Sequence, residues 1–181
     1  MSSFAILLLL AQAAPGNGTT APAPPSAPTG WAERTGESLN TGTRFAAASV
    51  YASDGGGRLT VRCDMVKEPI VSVQFIPKVK PGVADPHSVN VKFDAAPAKA
   101  TNWEFPGPGV LTRDPDNVFA LVSGIASAQH IQVLTTDADG APLSASFDGP
   151  GNDAMFRNVY ETCGLPYAPP ASENAEAEVE P

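Results

Sequence analysis

Leu59-Thr60-Val61-Arg62-Cys63-Asp64-Met65 is the stretch on which the fold turns. Leu59, Val61, Cys63 and Met65 fall on one side of an extended chain; Thr60, Arg62 and Asp64 fall on the other. A two-residue period with one apolar face is a half-buried strand. The same beat recurs in Val71, Val73 and Phe75 and again in Val89, Val91 and Phe93. Upstream, Arg44–Ala52 reads as a strand that turns through Gly55-Gly56-Gly57 into the Leu59 strand. Pro77–His87, with three prolines, reads as a loop. Alternating strands in succession predict an antiparallel sheet with one covered face.

The cover comes from later in the chain. Asp114-Pro115 is a helix start, with Asp as N-cap and Pro at the first helical position. Val118, Leu121, Val122 and Ile125 then lie at i, i+3, i+4 and i+7, which is one apolar stripe of a helix. His130–Thr136 reads as a strand, Asp139-Gly140 as a hairpin turn, and Leu143, Ala145 and Phe147 as the inward face of the partner strand. A second helix is predicted from Asn152 to Cys163, with Met155, Phe156, Val159 and Cys163 on one face and Gly164 as its C-terminal cap. The fold class is therefore α+β: a mostly antiparallel sheet with two short helices packed on one face.

The chain has two cysteines. Cys63 lies on the apolar face of its strand, and Cys163 lies on the apolar stripe of its helix. Both sulfurs thus point into the layer between sheet and helices, which predicts a Cys63–Cys163 disulfide; two unpaired buried cysteines are the other reading. Closing a loop of about 100 residues contributes roughly 4–5 kcal/mol in the chain-entropy model. No C-x-x-C is present, so a redox-active pair is not expected.

Both ends differ from the middle. Met1–Ala13 carries an apolar run, Phe4–Leu10, followed by Ala11-Gln12-Ala13, an A-x-A site for signal peptidase. The expectation is a Sec-type signal peptide over residues 1–13, cleaved near Ala13, with a periplasmic or secreted product. The alternative is a buried apolar segment. Residues 14–29 have neither charge nor a large apolar side chain and read as a Pro/Ala/Gly linker. The domain is placed at 30–167. Residues 168–181 hold four glutamates and no basic residue and read as a disordered acidic tail. The net charge is −8, with no basic patch, which argues against nucleic acid and against an anionic membrane surface. No run approaches the roughly 20 apolar residues that span a bilayer, so no stable membrane insertion is expected after cleavage.

Catalytic constellations are absent by pattern. His87, beside Asp85 and Ser88, lacks a nucleophile elbow, and His130 opens a strand. There is no H-E-x-x-H and no cysteine cluster, and Asp137–Asp148 fails as a calcium loop because Pro142 stands where a glycine belongs. No metal, cofactor or catalytic residue is assigned. What is left is surface binding. Trp103-Glu104-Phe105-Pro106-Gly107 places two aromatics in a rigid turn, and Trp103, Phe105 and His87 form the candidate binding surface. The competing expectation is that Trp103 and Phe105 plug the end of the sheet.

Trp31, Leu59-Thr60-Val61-Arg62-Cys63-Asp64, Val89-Asn90-Val91-Lys92-Phe93-Asp94, Trp103, and Cys163 on a late helix follow one another in an order that resembles small exported bacterial proteins of the VasI-like group, accessories associated with type VI secretion. The resemblance covers roughly residues 59–163. It offers no catalytic residues and implies a non-enzymatic role with an envelope protein as partner. The expectation is a protein-binding accessory of the bacterial envelope. A periplasmic inhibitor or small-ligand or glycan-binding domain is the second reading. A hydrolase with a site assembled from distant residues is the third.

Overall fold

The structure, a computed structural model, describes residues 30–39, 41–82 and 87–169. The expected signal peptide, the linker, the tail from residue 170 onward and Asp85 lie outside the described residues.

Among the described residues nine strands and two helices follow in order: β1 Ala32–Glu37, β2 Arg44–Tyr51, β3 Gly57–Asp64, β4 Ile70–Pro77, β5 His87–Phe93, β6 Lys99–Trp103, β7 Val110–Thr112, α1 Pro115–Ser127, β8 His130–Thr136, β9 Pro142–Asp148 and α2 Ala154–Thr162. All strand pairings are antiparallel, and the α+β class read from the sequence holds. The strands divide into two sheets instead of one. The first has the order β1-β2-β3-β4-β7, the second β6-β5-β8-β9. Alternation along a strand reports which face is buried, not which sheet the strand joins, so the division is invisible to periodicity.

The quoted stretch sits at the centre of the first sheet. Leu59 faces Val50 and Phe75, Val61 faces Ala48 and Val73, and Cys63 faces Ala46 and Val71 across the register. This face joins Val89, Val91, Ile131, Val133, Ala145 and Phe147 of the second sheet in a single core cluster. Phe75 meets Phe147 edge-on, with ring centroids 6.2 Å apart. The opposite face of β3 is polar: Thr60 shares a hydrogen bond with Ser49, and Arg62 lies over the Phe45 ring at 4.2 Å. The two sheets meet at both margins. Glu104, just past β6, exchanges backbone hydrogen bonds with Leu111 of β7. On the other side Ser53 N–H donates to the Ser146 carbonyl, and Ser146 N–H donates to Asp54 Oδ2.

The helices close the end of the sandwich where Cys63 emerges. α1 buries Val118, Leu121, Val122 and Ile125, the stripe expected from spacing, together with Ala126. Asp114 caps it by accepting from Asn117 N–H at 2.9 Å. α2 buries Phe156, Val159 and Tyr160. Cys63 and Cys163 form the expected disulfide, with Cα atoms 6.4 Å apart and a sequence separation of 100. Gly164 follows α2 at φ 70°, the left-handed conformation that a side chain disfavours. Trp31 anchors the start of the domain: its indole meets Phe156 edge-on, and its Nε1–H donates to the Asp148 carbonyl at 2.8 Å. A disulfide of this kind is compatible with an oxidising compartment. Among the described residues no helix is long and apolar enough to cross a membrane.

Candidate functional site

Trp103, Phe105 and His87 do come together, but not as an exposed loop. His87 and Trp103 are register partners across β5 and β6, and they are 3% and 1% exposed. Trp103 Nε1–H is taken up by Thr101 Oγ1 at 2.7 Å. His87 Nε2 lies 3.2 Å from the Thr136 carbonyl, and its ring stacks, tilted, on Phe105 at 6.5 Å. Phe105 is half-buried against the core, with Lys80 Nζ 5.8 Å above its ring. As a binding surface the trio is corrected: it plugs the end of the second sheet. Two large rings beside a short strand gain more by filling the sheet end than by meeting solvent. A nearby hollow is lined by Ile76, Pro77, Lys78, Lys80, Gly107 and Pro108, without either aromatic.

The other histidine lies on the rim. His130 and Asp148 are opposite each other in β8 and β9, 3.7 Å apart and 78% and 74% exposed. The Ser53 hydroxyl beside them donates to the Ser146 carbonyl. Asp137, weighed above as part of a calcium loop, spends one carboxylate oxygen on the N–H groups of Asp139 and Ala141 and so builds the hairpin turn. No group of three or more metal-ligating side chains stands together among the described residues.

A different surface is concave and mostly apolar. Between the start of β4, the first turns of α1 and the end of α2 runs an open groove of about 370 Å³. Ile70 and Val71 supply its floor, Pro115, Val118 and Phe119 one wall, and Tyr160, Leu165 and Pro166 the other. Its lining is mostly apolar, although Ile70 is 38% exposed and Pro166 is also exposed. Local sequence explains the shape. Phe119 stands just off the α1 stripe, so its ring is left at the helix margin. Gly164 reverses the chain after α2, Leu165 N–H returns to the Tyr160 carbonyl, and Tyr167 folds back onto Tyr160 and Phe119 at 5.3 and 5.7 Å.

Arg113 in its lining and Arg157 beside Tyr167 are both already engaged. Arg113 makes two hydrogen bonds to the Glu104 carboxylate, through Nε at 2.8 Å and through Nη2. That contact lowers the Glu104 pKa and raises that of Arg113. Arg157 pairs with Asp153 at 2.6 Å while lying 4.8 Å over the Tyr167 ring. Burial, and then the neighbouring Tyr167, push the Tyr160 hydroxyl up to about 12. These groups offer shape and apolar surface, with no nucleophile–base pair among them.

The sequence reading missed this groove, because its walls come from three elements far apart in the chain. The available signal was local: a large aromatic, Phe119, off the stripe of its helix, and two tyrosines around a Gly-Leu-Pro helix stop.

No family model matches the chain, and no curated protein matches it. Among solved structures it is similar to the crystal structure of invasion associated protein B from Bartonella henselae, at 14% identity and a TM-score of 0.41, over 74% of this chain and 90% of that one.

Proposed function

We propose that the chain is a non-enzymatic, exported protein of the bacterial envelope that binds another protein, and that the groove between β4, α1 and α2 receives it. The observation that carries this reading is the groove itself: an open, mostly apolar channel whose lining arginine, Arg113, is already paired with Glu104. Bringing an unmatched charge there would cost desolvation without a partner, whereas apolar side chains gain burial. The occupant is therefore an uncharged segment of the partner that inserts apolar side chains beside Ile70 and Phe119. Export to the periplasm after cleavage near Ala13 is supported by the apolar run at Phe4–Leu10 and by the disulfide. The resemblance to the VasI-like group supports an accessory role at a secretion machine.

The test places a photo-crosslinking amino acid at Phe119 in living cells and, as a control, at Ser88 on the exposed face of β5. The reading expects one discrete adduct from position 119 that is lost on Ile70→Asp and absent from position 88. No adduct at 119, or the same products from both positions, overturns it.

A further inference from the structure

We propose that the Cys63–Cys163 bond assembles this groove: in the dithiol form the two sheets fold, but the α2 wall stays undocked. The inference rests on the groove being the binding surface only for its biological meaning.

The bond joins floor to wall. Cys63 is the register partner of Val71, which lines the floor. Cys163 lies between Tyr160 and Leu165, which line the wall, and both Cys163 N–H and Leu165 N–H donate to the Tyr160 carbonyl. The ties that remain without the bond are all noncovalent. A helix of nine residues does not sustain itself in water. Its N-cap residue, Asp153, makes no side-chain cap. Its noncovalent ties include the burial of Phe156, Val159 and Tyr160, the edge of Trp31, the packing of Tyr167 on Tyr160 and Phe119, an Asn152 side chain that accepts from Ala154 N–H, and an Asn158 side-chain hydrogen bond to Glu33. The joints between the two sheets, at Glu104–Leu111 and at Ser53 and Asp54 with Ser146, involve no residue of α2.

Forming the bond takes two protons and two electrons from the two thiols. A disulfide-bearing oxidant accepts them and leaves as two thiols; its S–S bond breaks as the Cys63–Cys163 bond forms. The chain then binds its partner only where such an oxidant operates.

The experiment is hydrogen–deuterium exchange of the full chain, oxidised and after a thiol reductant, with Cys163→Ser as a reductant-free counterpart. Amides of residues 154–169 are expected to exchange roughly a hundredfold or more faster in the reduced chain and in the variant, while those of β3, β4 and β8 stay protected. Acrylamide quenching of Trp31, partly exposed in the oxidised fold, should rise on reduction, while Trp103 stays protected. Unchanged protection of α2 overturns the proposal. So does a loss that spreads through both sheets with exposure of Trp103, since the bond would then be a general staple. No partner enters these readouts, so they fail separately from the docking test.

Discussion

Asp94 holds a left-handed backbone, φ 48°, at the end of β5. Its carboxylate accepts from Gln129 N–H at 3.0 Å and from His130 N–H at 2.8 Å, and its own N–H donates to the His130 carbonyl. One side chain thus satisfies the amides that lead from α1 into β8 and fixes where β8 starts against β5. Asp94→Ala removes both acceptors and places a β-carbon in a disfavoured region, an expected loss of about 2 kcal/mol. Asp94→Asn keeps an acceptor oxygen and tolerates the left-handed region, so its loss should be smaller. Urea unfolding of the two variants beside the parent measures the difference. Gly124 has a comparable local reason: a β-carbon there would overlap the Phe93 ring, so α1 can lie close to β5 only without one.

The two helices are held in opposite ways. α1 is capped by Asp114; the N-cap of α2, Asp153, makes no side-chain cap and pairs with Arg157, while Asn152 Oδ1 accepts from Ala154 N–H. Asp114→Ala should cost about 1 kcal/mol, and Asp153→Ala clearly less, because a solvated i,i+4 pair is weak. Thermal melts of both variants check the contrast. The same difference decides what the sequence could report. β2, β3, β4, β5, β8 and β9 each bury alternate apolar residues, and α1 buries a full stripe, so period alone finds them. β1 buries none of its six residues, β6 buries only Trp103, and β7 is three residues long. Those strands are set by pairing with neighbours, which leaves no pattern in their own residues. The groove is harder still: Ile70, Phe119 and Tyr160 belong to three elements, and only the register of β3 and β4 and the disulfide bring them together. Trp103 shows the converse limit, since an aromatic in a Gly/Pro-rich turn reads equally as an exposed anchor or as a plug.

At the scale of the molecule, Tyr160 sets an alkaline limit. Its hydroxyl is held neutral up to about 12, against an ordinary value of 10.0. Between those values the folded chain keeps a proton that the unfolded chain has lost, so the stabilisation is complete below about pH 10 and declines as pH rises toward 12. The urea midpoint should fall across that window, and Tyr160→Phe should flatten this part of the profile. β1 has a consequence of another kind. It is an edge strand with five of its six residues exposed, the sort of edge along which identical chains can join into ribbons. Two copies related by a two-fold axis across the sheet keep like faces together, so only residues whose numbers sum to an even value oppose each other. Of the registers that pair most of the strand, one sets Arg34 against Arg34 and the other sets Glu33 against Glu37, twice. Like charges directly opposite repel, so this strand accepts β2 on one side and refuses its own copy on the other.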